Sequence, residues 1–226
     1  MSKRNFYLTL LLVLQFNLLA QDWADLGRYR EDNARLIESK SSENNVVFIG
    51  NSITDSWPSY MPEFFQENHY IGRGISGQTT PQMLVRFRPD VIALSPAAVV
   101  ILAGTNDIAE NTGRATIEEI FGNICSMVEL AAANNIKVVL CAVLPAFDYP
   151  WRPGLEPAEK IVRLNSLLKD YANKNGHVFL DYHGQMADKK NGLIETYTYD
   201  GVHPNDAGYK LMAAMVKEVL STILKQ

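Results

Sequence analysis

The chain is predicted to be an α/β protein built on a parallel sheet, and three observations carry this expectation. Short apolar runs alternate with longer stretches of helical periodicity, the pattern of strand–helix units. One run, Val99-Val100-Ile101-Leu102, is continuously apolar, as a central strand covered on both faces must be. With 226 residues, 47% hydrophobic and 20% charged, the chain has ordinary globular composition and enough length for one domain with a substantial core.

Residues 1–20 read as a secretory leader, with Lys3 and Arg4 as a basic start and an apolar stretch from Phe6 to Leu19 broken by Thr9, Gln15 and Asn17. That stretch is short and interrupted for a membrane span, which needs roughly 20 apolar residues. Cleavage is expected after Ala20, leaving residues 21–226 as a single domain in the periplasm or outside the cell, with no stable membrane insertion. No Cys closes the leader, so lipid attachment there is not expected.

The elements then follow in order. A helix is expected over 23–39 and a strand over 46–50, then a strand near 70–72 and a helix near 81–87. A strand over 99–103 precedes a helix over 116–134, which Thr116-Ile117-Glu118-Glu119 opens as a capping box. A strand over 137–143, a helix over 157–175, a strand over 177–180 and a helix over 206–224 complete the set. In the last helix Met212, Met215, Val216, Val219, Leu220 and Ile223 recur at helical spacing and read as core.

The net charge is −4; without Lys3 and Arg4, 19 basic residues face 25 acidic ones, a net charge of −6. That sign argues against a nucleic-acid partner and against docking on an anionic membrane. The two cysteines, Cys125 in a helix and Cys141 in the strand after it, sit on packed layers, too far apart for the about 4.4–6.8 Å between Cα atoms that a disulfide needs. Two buried free thiols are expected. No Cys–His spacing or carboxylate cluster has the pattern of a metal site.

Chemistry is suggested by four short segments. Ser52 stands in Gly-Asn-Ser-Ile-Thr-Asp and His203 in Asp-Gly-Val-His-Pro-Asn, with Asp200 three residues before the histidine. A serine hydroxyl becomes a nucleophile when an imidazole takes its proton and a carboxylate fixes the tautomer of that imidazole. Between them lie Arg-Gly-Ile-Ser-Gly-Gln-Thr-Thr (73–80) and Ala-Gly-Thr-Asn-Asp (103–107). Gly77 and Asn106 offer a backbone N–H and a side-chain amide of the kind that stabilises a developing oxyanion. Singly, each residue has a plainer reading: Ser52 and Asn106 as helix caps, Gly77 as a turn residue with positive φ, His203 as a loop residue.

Jointly and in this order, the four segments resemble the SGNH (GDSL-like) hydrolase family of esterases and acylhydrolases, over about Val46 to Gly208. The resemblance implies a three-layer α/β/α, flavodoxin-like five-stranded parallel sheet. It also implies a triad of Ser52, Asp200 and His203, and an oxyanion hole of Ser52, Gly77 and Asn106. No metal or cofactor is implied. One position departs from the family pattern: Asn51 stands where Asp precedes the serine, keeping a hydrogen-bonding side chain and losing its charge.

In open parallel sheets sites form at the carboxyl ends of the strands, and all five residues are expected on that edge. The loop between Pro145 and Pro157 should overhang the same rim and offers Phe147, Tyr149, Trp151 and Arg152 to a substrate; Trp57, five residues past the serine, is a further candidate. The expected activity is an exported serine esterase removing a small acyl group, O-acetyl above all, from a glycan or other small ester. The alternatives are a lysophospholipase or thioesterase, an esterase similar to platelet-activating-factor acetylhydrolase, and a catalytically dead carbohydrate-binding protein.

Overall fold

The computed structural model describes residues 22–39 and 45–225, so the leader expected at 1–20 lies outside the described residues. Five strands, β1 (Val46–Gly50), β2 (Tyr70–Gly74), β3 (Ala98–Leu102), β4 (Lys137–Cys141) and β5 (Val178–Leu180), form one sheet in the order β2-β1-β3-β4-β5. Every pairing is parallel. Val46 lies opposite both Tyr70 and Ala98, and Gly50 opposite both Gly74 and Leu102, so the carboxyl ends of β1, β2 and β3 finish level.

The helices are α1 (Arg30–Glu38), α2 (Ser52–Tyr60), α3 (Pro62–Glu67), α4 (Thr80–Asp90), α5 (Thr105–Ile108), α6 (Ile117–Ala133), α7 (Pro157–Asn175), α8 (Tyr182–Met186) and α9 (Asp206–Ile223). Successive strand side chains point to opposite faces, and this sorts the apolar residues into two cores. Val47, Ile49, Val99, Ile101 and Leu140 pack with Met83 and Phe87 of α4, Ile120 and Ile124 of α6, and Ile161 and Leu164 of α7. Phe48, Val100, Leu102 and Val139 pack with Ile53 and Trp57 of α2, Phe64 and Phe65 of α3, and Met212, Val216 and Leu220 of α9. The result is the expected three-layer α/β/α arrangement. Among the described residues no helix is long and apolar enough to cross a membrane.

Several local expectations are met. The Thr116 hydroxyl accepts from the Glu119 N–H at 3.2 Å while the Glu119 carboxylate accepts from the Thr116 N–H at 2.7 Å, closing the capping box of α6. Cys125 and Cys141 are buried free thiols. Burial pushes the Cys125 thiol up to about 11 and the Cys141 thiol higher still, so neither offers much of the reactive thiolate.

Other expectations change. The first helix starts at Arg30, not Trp23, because the Asp22 carboxylate accepts from the N–H groups of Leu26 and Gly27 at 2.5 and 2.8 Å and Asp25 takes φ 53°. β4 stops at Cys141 because the Asn165 side chain takes both backbone groups of Val143, at 2.8 and 2.9 Å. β2 runs on to Gly74, and the short helices α2, α3, α5 and α8 were not expected. Trp57 is a core residue, 1% exposed, edge-on to Phe48 and stacked on Phe64, so it is not available to a substrate.

Candidate active site

Ser52 is the first residue of α2, directly after β1. Asn51 caps that helix, its Oδ1 accepting from the Ile53 N–H at 3.3 Å. The amide thus performs the capping that a carboxylate would perform, without placing a negative charge beside the serine. Ser52 is half-buried, and its Oγ lies 2.9 Å from His203 Nε2, although 151 positions separate the two residues.

The Asp200-x-x-His203 spacing has a visible cause. Asp200 Oδ1 accepts from the N–H groups of Val202 and His203 at 2.9 and 2.7 Å, while Oδ2 lies 2.7 Å from His203 Nδ1. One carboxylate folds the turn and orients the ring. Burial raises the Asp200 pKa, but the hydrogen bonds from His203 and Val202 outweigh it and hold the group below the usual carboxylate range. With Nδ1–H donating to that carboxylate, Nε2 is left to accept from the Ser52 hydroxyl, the arrangement in which a serine can lose its proton as it attacks.

Gly77 has φ 80° and open space where a Cβ would stand, so backbone conformation rather than crowding calls for glycine. Asn106 lies inside α5, whose N-cap is Gly104 and which has no side-chain cap, so the helix-cap reading of Asn106 does not hold. Its Nδ2 donates to the Gln78 carbonyl at 3.0 Å, which ties the β3 loop to the residue after Gly77. The next residue, Asp107, accepts from Thr80 N and Oγ1 at 2.9 and 2.6 Å and joins the same loop to the start of α4. Burial nevertheless pushes its carboxyl up to about 6.

The 145–157 loop divides in two. Tyr149 is fully buried, its hydroxyl 3.0 Å from Thr105 Oγ1, so it anchors the loop and does not reach a substrate, contrary to expectation. Arg152 is engaged with the Ala109 and Glu110 carbonyls and with the Glu110 carboxylate. Phe147 and Trp151 are exposed, at 60% and 44%. The Trp151 ring lies 5.8 Å from that of His203, and its Nε1–H donates to Asn111 Oδ1 at 3.3 Å. The sequence reading missed Tyr199, which is 62% exposed and stacks on the His203 ring at 5.9 Å. Its place directly before Asp200 was the available signal.

The chain is similar to known proteins over most of its length. A human protein, platelet-activating factor acetylhydrolase IB subunit alpha2, is 26% identical over 203 residues, covering 87% of this chain and 84% of the relative. An acetylxylan esterase from Xylanibacter ruminicola is 23% identical over 229 residues, covering 85% of this chain and 45% of that protein. The crystal structure of a GDSL-like lipase from Bacteroides thetaiotaomicron is 50% identical and covers 88% of this chain and 98% of its own, with a TM-score of 0.85. The sequence model of the GDSL-like lipase/acylhydrolase family matches residues 48–211, and the chain belongs to that family of esterases and acylhydrolases.

Proposed function

We propose that the chain is an exported serine esterase that removes a small acyl group, O-acetyl above all, from a carbohydrate. The observation that carries the chemistry is the Ser52–His203–Asp200 hydrogen-bonded relay, at 2.9 and 2.7 Å. Ser52 Oγ attacks the ester carbonyl carbon while its proton passes to His203 Nε2, and the carbonyl oxygen becomes an oxyanion received by the N–H groups of Ser52 and Gly77 and the Asn106 amide. The intermediate collapses, the alcohol leaves with the Nε2 proton, and water repeats the sequence on the acyl-serine. The intact relay also speaks against a catalytically dead binding protein.

Two features favour an acetylated sugar. Trp151 and Tyr199 both set exposed rings against His203, a surface suited to the apolar face of a pyranose. The names of two relatives specify acetyl chemistry, on xylan in one and on platelet-activating factor in the other. The second supports an alternative reading, a lipid acetyl ester.

A panel of p-nitrophenyl esters of rising chain length, followed by acetylated xylan and a platelet-activating-factor-type lipid, tests the substrate class. The acetyl ester should turn over fastest, and acetate should be released from the glycan. Trp151→Ala and Tyr199→Ala should each raise KM on the glycan about threefold to tenfold, the value of one aromatic contact, with little change on p-nitrophenyl acetate. Preference for the lipid would overturn the sugar assignment. The exported protein should begin at Gln21 on N-terminal sequencing.

Activity should also be lost at acid pH, since a protonated ring cannot act as base. Asp200 titrates below the usual carboxylate range, so its own protonation should add nothing until the pH is more acid still. A kcat/KM profile that is flat from acid to neutral pH, with the fold intact, would remove His203 from its role.

A further inference from the structure

Gln78 follows Gly77 in the same loop, faces the loop that carries Asn106, and is buried at 3% exposure. All four of its hydrogen-bonding groups are used. Its N–H donates to the Ile75 carbonyl at 3.3 Å and its carbonyl accepts from Asn106 Nδ2 at 3.0 Å. Its side-chain Nε2 donates to the Ala24 carbonyl at 2.7 Å, and its Oε1 accepts from Arg86 Nε at 2.5 Å.

Arg86 carries the connection onward. Its guanidinium is fully buried, and Nη2 donates to the Gly50 carbonyl at 2.9 Å, two residues before Ser52, while Nη1 meets Asp90 at 3.0 Å. The same Gly50 carbonyl accepts from the Ile75 N–H at 3.1 Å. A single buried cation therefore grips both the strand end that leads to Ser52 and the side chain of Gln78, the residue next to Gly77 whose backbone carbonyl takes the Asn106 amide. A buried ion pair adds little stability over an apolar replacement of similar volume. What this one supplies is a fixed spacing between three separate loops.

We propose that Gln78 is a positioning residue of the oxyanion site, setting the distance of Gly77 and Asn106 from Ser52 through Arg86. This rests on the assignment of Gly77 and Asn106 as oxyanion donors, and the test separates the two claims. Gln78→Leu keeps the volume and loses both side-chain hydrogen bonds. It should lower kcat on p-nitrophenyl acetate about 10- to 100-fold with KM nearly unchanged, because displacements near 1 Å have effects of that size. Gln78→Glu retains an acceptor for Arg86 Nε and should recover most of the loss. It also serves as the reporter if the leucine variant does not fold.

Coupling to Asn106 supplies the discriminating readout. If Gln78 acts through that amide, adding Gln78→Leu to Asn106→Ala should cost much less than it does in the wild type. Normal kcat with a lowered melting temperature in Gln78→Leu, while Asn106→Ala is impaired, would overturn the positioning role. Losses that multiply in full would overturn it as well. Normal kcat in Asn106→Ala would instead count against the oxyanion assignment itself.

Discussion

Ser52→Ala should lower kcat by on the order of 10⁶, the scale seen when one member of a serine relay is removed and the rest cannot compensate. In the proposed mechanism the hydroxyl is the group that bonds to the acyl carbon, and His203 Nε2 has no other described partner placed to give it a proton. Packing should barely change, since Ala fits the first turn of α2 at least as well as Ser and the cap belongs to Asn51. A thermal melt within a degree or two of wild type, beside kinetics on p-nitrophenyl acetate, checks both halves. Retention of more than about a hundredth of the activity would show that another residue forms the acyl-enzyme.

Asn106→Ala should lower kcat about 10²- to 10³-fold, or roughly 2.7–4 kcal/mol, and leave KM close to its wild-type value, because an oxyanion donor works mainly when charge develops on the substrate oxygen. One N–H of its amide goes to the Gln78 carbonyl. The purely structural alternative is the loss of that bond, which predicts about 1 kcal/mol of stability and near-normal turnover. Steady-state kinetics and a melt on the same sample distinguish the two.

How much of this could be read from the chain differs by element, and for physical reasons. α6, α7 and α9 span 17 to 19 residues, long enough for apolar periodicity to repeat several times, and they were placed within a residue or so of their observed ends. α2 and α3 were missed because Pro58 and Pro62 interrupt the pattern, and α5 because four residues show no period. The Ser52, Asp200 and His203 cluster was legible because the spacing of Asp200 and His203 is the turn that the carboxylate itself folds. The aromatic loop was not, since residue type does not say which way a ring points: Tyr149 turns inward to Thr105, and Trp151, two residues on, turns outward beside His203.

The last helix is fastened directly to the nucleophile's helix, for the Tyr209 hydroxyl of α9 donates to the Ile53 carbonyl at 2.9 Å, one residue beyond Ser52. During synthesis at about 5–20 residues per second, roughly 8–30 s separate the appearance of Ser52 from that of His203, 151 positions later. Throughout that interval the chain carries an ordinary, unreactive serine. Because α9 also supplies Met212, Val216 and Leu220 to the core that holds α2, a chain terminated before that helix should be silent toward every ester it meets.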